Sequence, residues 1–397
     1  MPRWIVVSEE DHHIDRDSAL GVEARAPQLD EIRQFHGAMR EDFRMDEWLA
    51  DTVHAKAGRS KHLPVLGATV VEVDHLEDPP PGAVAYEDLD IGLIESLAAE
   101  DADGLEVQAM DSVEGVDLWH LEAARTLRQT ATGAGVHVAV LDTGIGPTPE
   151  LVGQVVEAVQ VRSDWADGRP LPTVQAPVLA GHGTHVAGII AGHRVGVAPG
   201  ARLVDVRMLK TEKSGSLSDL LAALDWSAAN ENVRIVNISV GAPILQHRSW
   251  LGPIRAMNRV GVLVVAAAGN DGPGTSMAPG NFYETIAVGA MTPGREVWGR
   301  SACMLVPEGR RLPDYPVPDL VAPGVGVISC LPDDPVQGAV GGYAAKTGTS
   351  MAAPVVSGIA ALVLEGQRRI GLREFREMLW EHCEPIGGTS RAGAISW

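Results

Sequence analysis

Three short segments of the chain place an aspartate, a histidine and a serine where acyl-transfer chemistry could use them. Asp142 lies in VAVLDTG (138–144), His182 in GHGTHVAG (181–188) and Ser350 in GTSMAAP (348–354). A serine hydroxyl is a weak nucleophile at neutral pH. It needs a base beside it, and the base needs a partner that fixes its tautomer. Asp, His, Ser is one of the known chain orders for such a triad. A fourth segment, VVAAAGNDG (264–272), runs from an apolar strand into a Gly-Asn turn. There the Asn270 amide and the Ser350 backbone N–H would together receive an oxyanion. Each residue also has an ordinary reading. Asp142 before Thr-Gly would cap a turn, Ser350 would be a helix N-cap and Asn270 a turn residue. His182 and His185 are spaced i,i+3 with no HExxH pattern, so a metal pair is disfavoured and His185 reads as a packed core histidine.

The elements that must carry these residues follow from patterning. Residues 136–141 are apolar on both faces, as in a buried parallel strand. Similar runs recur at 202–208, 235–240, 262–267 and 285–288, with helical stretches at 184–191, 218–231, 249–258 and 350–365. Strands alternating with helices predict an α/β fold, a doubly wound parallel sheet covered on both faces. Functional side chains gather at the carboxyl ends of such strands, where Asp142 falls. A further helix is expected at 118–129. Ahead of it, residues 1–115 read as a smaller α+β domain. Strands are expected at 4–8, 65–73 and 83–86, a helical stretch at 30–57, a turn at 78–82, a short helix at 91–99 and a weakly patterned linker at 98–114.

Charge marks the same boundary. Residues 1–115 carry 27 acidic and 9 basic side chains, against 25 and 23 in 116–397. So acidic a chain is a poor ligand for nucleic acid. The three cysteines, Cys303, Cys330 and Cys383, form neither a disulfide framework nor a zinc pattern. They read as free thiols compatible with a reducing compartment. The apolar run near Met1 is too short for a signal peptide, and no stretch reaches the length of a membrane span. The expectation is a soluble cytoplasmic protein with no membrane partner, unless a leader was removed.

The four segments resemble the subtilisin-like serine proteases, the subtilases, over about residues 117–390. Also similar are 135–145 (GVHVAVLDTGI), 197–200 (VAPG), 238–241 (ISVG), 286–290 (IAVGA) and 319–324 (DLVAPG). The resemblance implies a serine endopeptidase acting through an acyl-enzyme, with Asp142, His182 and Ser350 as triad and Asn270 as oxyanion donor. It implies that Ser239, Val240 and Gly241, and Ala267, Ala268 and Gly269, are the extended segments that pair with substrate backbone. Met277 would lie near the floor of the pocket for the residue before the cut (P1), making it shallower. Leu217, Leu220 and Val240 would line an apolar pocket three residues upstream (P4). A peptide ligase or macrocyclase on the same scaffold is the alternative, and a non-catalytic binding module is disfavoured by the four intact positions.

The N-terminal part looks like the family's propeptide, an intramolecular inhibitor and folding chaperone, here lengthened by 30–57. A zymogen cut near 103–115 is expected; a permanent regulatory domain is the alternative. Three departures stand out. Residues 191–197 are too short for the family's strong calcium loop and Gly146 replaces a common aspartate, so no cofactor or metal is expected, with calcium at weaker sites left open. Residues 295–318 form a longer loop, read as a surface insertion. The C-terminal stretch shows no closing helix.

Overall fold

The computed structural model describes residues 2–8, 29–42, 44–56, 58–94, 97–98, 110–161, 171–172, 181–209, 214–245, 248–307, 314–333, 341–366, 370–386 and 393–395. The N-terminal part builds a four-stranded antiparallel sheet from β1 (Arg3–Ser8), β2 (Arg59–Leu63), β3 (Ala68–Glu72) and β4 (Ala83–Glu87), in the order β2-β3-β1-β4. The expected strand at 65–73 is thus shorter: residues 64–67 are the turn that joins β2 to β3, and β3 begins at Ala68. Helix α1 (Leu29–Asp42) precedes a turn of helix at Met45–Trp48. Within 91–99, expected as helix, the described residues carry two strands instead: β5 (Asp90–Leu93) and β6 (Leu97–Ala98). Their partners lie outside this domain, and those partners hold them extended.

Strands β7 (His137–Asp142), β8 (Val155–Gln160), β9 (Leu171–Pro172) and β10 (Arg202–Arg207) begin the large sheet. After β11 (Ser214–Ser216) come β12 (Val233–Ile238), β13 (Val240–Gly241), β14 (Leu263–Ala267) and β15 (Ile286–Met291). The hairpin β16 (Met304–Val306) and β17 (Tyr315–Val317) is followed by β18 (Leu320–Pro323), β19 (Val327–Cys330) and β20 (Tyr343–Thr347). Seven neighbours, β18-β15-β14-β12-β7-β10-β8, are all parallel. Alternation shows why residues 138–141 of β7 are apolar without a break. Val138 and Val140 enter the core on one face, Ala139 and Leu141 the core on the other. The first face is covered by α2 (His182–Ala191) and by α5 (Thr349–Leu364), which is buried along its whole length. The second is covered by α3 (Leu217–Ala229) and α4 (Arg248–Arg259).

Three more expectations are corrected. Residues 118–129 form two short 3₁₀ turns, Trp119–Ala124 and Leu127–Gln129, whose bonds close one residue early, as in Leu121 N–H to Leu118 O. The C-terminal stretch does contain a helix, α6 (Leu372–Glu381), seated through Phe375 and Leu379. Its polar outer face hid its period. The loop at 295–318 is not bare surface, because Val306, Tyr315 and Val317 pack on Ala287.

The N-terminal sheet is apolar on both faces for the same reason as β7. Val6 and Val71 face Met45, Leu49 and Val53 of their own domain. Ile5, Val7, Leu63, Ala68 and Val70 join the cluster of α3 and α4, with Leu221, Leu224, Trp250 and Met257. Two carboxylates bolt this contact from opposite sides. Asp225 of α3 accepts the backbone N–H of Val65 (2.8 Å) and Leu66 (3.0 Å). Asp88 accepts Ser218 N–H (2.8 Å) and Oγ–H (2.6 Å), capping α3 from the other domain. Among the described residues no helix is long and apolar enough to cross a membrane.

Candidate active site

Asp142 closes β7, and His182 is the first residue of α2. His182 Nδ1 lies 2.9 Å from each Asp142 carboxylate oxygen. Nδ1–H donates there, so Nε2 is left as the basic nitrogen. Nε2 is buried and has no hydrogen-bond partner among the described residues. Thr143 steadies the pair: its N–H donates to Asp142 Oδ1 (2.7 Å) and its Oγ1 accepts Gly183 N–H (3.0 Å). Residue 183 must be glycine, since a Cβ there would stand 2.6 Å from Gly144 O and 3.1 Å from Asp142 Oδ1.

Ser350 is the second residue of α5, where the N–H groups of the first turn have no helical partner. Pro354 sits farther in than the first turn, at the sixth helical position. It therefore withholds the N–H that would bond Ser350 O. Ser239 Oγ supplies the missing donor at 3.2 Å. Ser239 is itself held by Asn237 Nδ2 (3.2 Å), and Asn237 Oδ1 accepts from Ser357 Oγ (2.9 Å). Patterning could not reveal this buried polar chain, because Asn237 lies inside an apolar strand. Asn270 Oδ1 accepts both N–H and Oγ–H of Thr349, each at 2.9 Å, and its backbone carbonyl accepts from Arg300. With Oδ1 engaged by Thr349, the NH₂ group is the donor end of the amide.

A strand of the N-terminal domain fills the cleft. β5 lies between β11 and β13, antiparallel to both, with Gly92 opposite Ser214 and Gly241, Ile91 opposite Gly215, and Leu93 opposite Val240. Of the segment 239–241, expected to pair with substrate backbone, Val240 and Gly241 pair here with β5. The other edge of β5 is Ser214–Ser216; among the described residues Ala267, Ala268 and Gly269, the second expected segment, do not pair with it. Those three are engaged within their own domain: Ala267 pairs with β15, Ala268 O accepts Met277 N–H and Gly269 O accepts Ala302 N–H. The Ser-Gly-Ser run ahead of α3 was the overlooked signal.

At the end of β5 the Ile94 carbonyl meets the serine. Ser350 Oγ donates to Ile94 O at 3.0 Å, with Ser239 O at 3.3 Å. No hydrogen bond joins Ser350 Oγ to His182 Nε2 among the described residues. Ile94 Cδ1 would lie 3.5 Å from a Cβ at Gly241, whose other close neighbours are Ala278 O (2.6 Å) and Met277 Cβ (3.3 Å). Met277 is therefore beside the Ile94 side chain. Ile91 joins the cluster holding Leu217, Leu220 and Val240. Past Ile94, β6 pairs with β20, Leu97 opposite Thr347 and Ala98 opposite Lys346. Ser350 is 0 % exposed and His182 4 %.

His185 is fully buried and its Nε2–H donates to Ala344 O (2.9 Å). Burial, then the Lys346 charge, holds its pKa well below the ordinary value. A metal finds no obvious seat: among the described residues no three His, Cys, Asp or Glu side chains could hold one. Glu150, beside the shortened loop, is fully engaged with N–H and O–H donors. Its carboxylate takes the N–H of Arg194 and Val195 (3.0 Å for the latter), the Arg194 Nε–H (3.2 Å) and the Tyr343 hydroxyl (2.8 Å). Burial would raise its pKa, but these bonds prevail and hold it below the usual carboxylate range.

A profile of the subtilase family matches residues 133–387, more than half the chain. The chain belongs to the subtilase family. It is 33% identical over 316 residues to M-protease of Shouchella clausii, covering 75% of each chain, and 35% identical over 268 residues to subtilisin Savinase of Lederbergia lenta, covering 66% of this chain and 88% of the other. Serine protease AprX of Bacillus subtilis is 32% identical over 307 residues, covering 68% of this chain and 66% of the relative. Among solved structures, a protease of Pseudoalteromonas arctica superposes with a TM-score of 0.61 at 25% identity, over 73% of this chain and 97% of the other. This subtilase is accordingly a serine-type endopeptidase with a subtilisin-like α/β fold and a small N-terminal sheet domain. The relatives named here are all proteases, which gives the ligase reading no support.

Proposed function

We propose that this subtilase is a zymogen whose first substrate is its own Ile94–Glu95 bond. The observation that carries the reading is the Ile94 carbonyl against Ser350 Oγ, presented by a strand paired on both sides. Ser350 Oγ attacks the Ile94 carbonyl carbon as its proton passes to His182 Nε2. Asp142 holds the ring and stabilises the imidazolium that forms. The carbonyl electron pair moves to oxygen, where the Asn270 amide and the Ser350 N–H receive it. On collapse the C–N bond breaks, His182 returns the proton to the Glu95 nitrogen, and Ile94 remains as an ester on Ser350. Water then enters by the same steps in reverse order of partners. Ser350 and His182 must first make the hydrogen bond that the serine now gives to Ile94 and Ser239; catalytic bonds commonly tighten only in the reacting complex.

The junction thus moves upstream from the expected 103–115. Residues 99–109 lie outside the described set, while Met110 already bridges Tyr343 on the catalytic body. After the cut, docking through the α3 and α4 face would keep residues 1–94 as an inhibitor. In trans the enzyme would favour apolar residues at P4 and medium apolar residues at P1, as Ile91 and Ile94 exemplify. The Arg194–Glu150–Tyr343 clasp would replace calcium in fixing the loop after α2, so chelation should leave the melting temperature unchanged. Three unpaired thiols fit a reducing cytoplasm.

Fluorophosphonate labelling with mass spectrometry tests the reading. The expected result is a fragment ending at Ile94 and a labelled Ser350, both lost in Ser350→Ala. Labelling that survives in Ser350→Ala overturns it, as does an active chain uncut at Ile94.

A further inference from the structure

The strand beside β7 buries two charges that neither the triad nor the oxyanion site uses. In β10, Leu203 belongs to the core under α2 and α5, while Val204 and Val206 belong to the core under α3 and α4. Alternation therefore puts Asp205 and Arg207 on the α2 side with Leu203. Asp142 falls on that same side, with Val138 and Val140. In the parallel register Arg207 lies directly opposite Asp142, and Asp205 lies two residues back, opposite Val140. All three residues are buried.

Both charged side chains hold the turn that follows Asp142. A Cβ at Gly144, where φ is +104°, would collide with the Arg207 guanidinium. Asp205 accepts the backbone N–H of Ile145 and pairs with Arg207 at 3.8 Å. Its Oδ1 has no hydrogen-bond partner among the described residues. Burial, with Asp142 adding to it, raises the Asp205 pKa to about 6, against the Ile145 N–H and the Arg207 charge. The carboxylate is therefore ionised at neutral pH. On β8 the opposite residues are Ala158 and Gln160, neither of them ionisable. The ionisable residues of α2 are His182 and His185, the latter bonded to Ala344 O. Lys346 of β20 also acts on Asp142.

Asp142 has to stabilise the imidazolium that forms at His182. An unbalanced guanidinium on the neighbouring strand would oppose that cation across a short, water-poor distance. Building on the assignment of Asp142 and His182 as the base pair for Ser350, we propose that Asp205 is a positioning residue of the triad. It neutralises Arg207, so that the guanidinium can brace the turn without drawing the Asp142 charge away from His182.

The pH profile of peptide hydrolysis tests this, with a quenched-fluorescent peptide containing Ile-Gly-Leu-Ile and each enzyme normalised by fluorophosphonate titration. The acid limb of kcat/KM reports protonation of the base. Asp205→Asn keeps the shape and an acceptor for Ile145 but leaves Arg207 unbalanced. The limb should move about one unit to lower pH, and plateau kcat should fall about tenfold with KM little changed. Adding Arg207→Gln should return the limb to its wild-type position and restore most of kcat, because the lost charges cancel. The position of the limb is independent of the fraction of folded variant. A limb that stays in place in Asp205→Asn, or a double variant that keeps the shift or loses further kcat, overturns the proposal alone. Turnover that survives in Ser350→Ala overturns the triad assignment on which it rests.

Discussion

The N-terminal domain meets the catalytic body in two unlike places. At α3 and α4 it lays down a broad apolar sheet face, with Ile5, Val7 and Val70 entering a core that also holds Trp250 and Met257. At the cleft it offers one strand, held by backbone bonds to β11 and β13. The first contact resembles the interior of a single domain, where each buried Ile or Leu contributes about 1.5–3 kcal/mol. The second asks little of side chains beyond Ile91 and Ile94. Binding strength and chemical address are therefore separable: the sheet face keeps the domain in place, and the strand determines which bond meets Ser350.

Substitutions should separate them. Ser350→Ala is expected to lower peptide hydrolysis by about 10⁶-fold, leaving an uncut chain with an unaltered melting temperature; a fall in melting temperature would mean that chemistry and docking are coupled. Asn270→Ala should cost about 10²–10³ in kcat, with self-cutting slowed alike in a time course of fragment release. Ile5→Ala, made in the Ser350→Ala background, should destabilise the chain by about 2–5 kcal/mol in urea while leaving the cleft residues untouched. Met277→Gly should deepen the pocket beside Ile94 and shift preference toward larger P1 residues by about tenfold, read on a P1-varied library. The smallest effect concerns Asp225. Burial raises its pKa to about 6, against the opposing Leu66 and Val65 N–H bonds and the Lys61 charge. Between about pH 4 and 6 the folded chain then holds a proton that the unfolded chain has released, so this group's contribution to stability falls as pH rises through that window. Asp225→Asn keeps an acceptor oxygen and removes the titration, so the difference in melting temperature between pH 4.5 and 7 should shrink.

Legibility in the sequence was uneven for physical reasons. The parallel strands were visible because burial on two faces makes them apolar without a break, as in residues 138–141 of β7 and in β14. Their ends were visible because Asp142, His182, Asn270 and Ser350 sit in or beside glycine-rich turns that allow close approach; the structure pairs Asp142 with His182 and sets Asn270 on Thr349, next to Ser350. What depends on a distant partner was not visible. Residues 90–94 have no strand signature of their own; they are extended because Ser214–Ser216 and Val240–Gly241 hold them so. Asn237 and Ser357 look like flaws in apolar runs until the carbonyl freed by Pro354 is considered.

The cleft is a slot one strand wide, bounded by edges of three and two residues. Unpaired edges invite indiscriminate association, and brevity is one way a protein limits that. It also sets a conformational entrance requirement. A helix has already spent its backbone bonds internally, and a strand inside another sheet has spent them on its neighbours. Such segments must unravel before they fit. If the slot takes substrates as it takes β5, this subtilase would be directed by the folding state of its targets as much as by their side chains: loops, termini and misfolded chains would be open to it, and well-packed proteins spared.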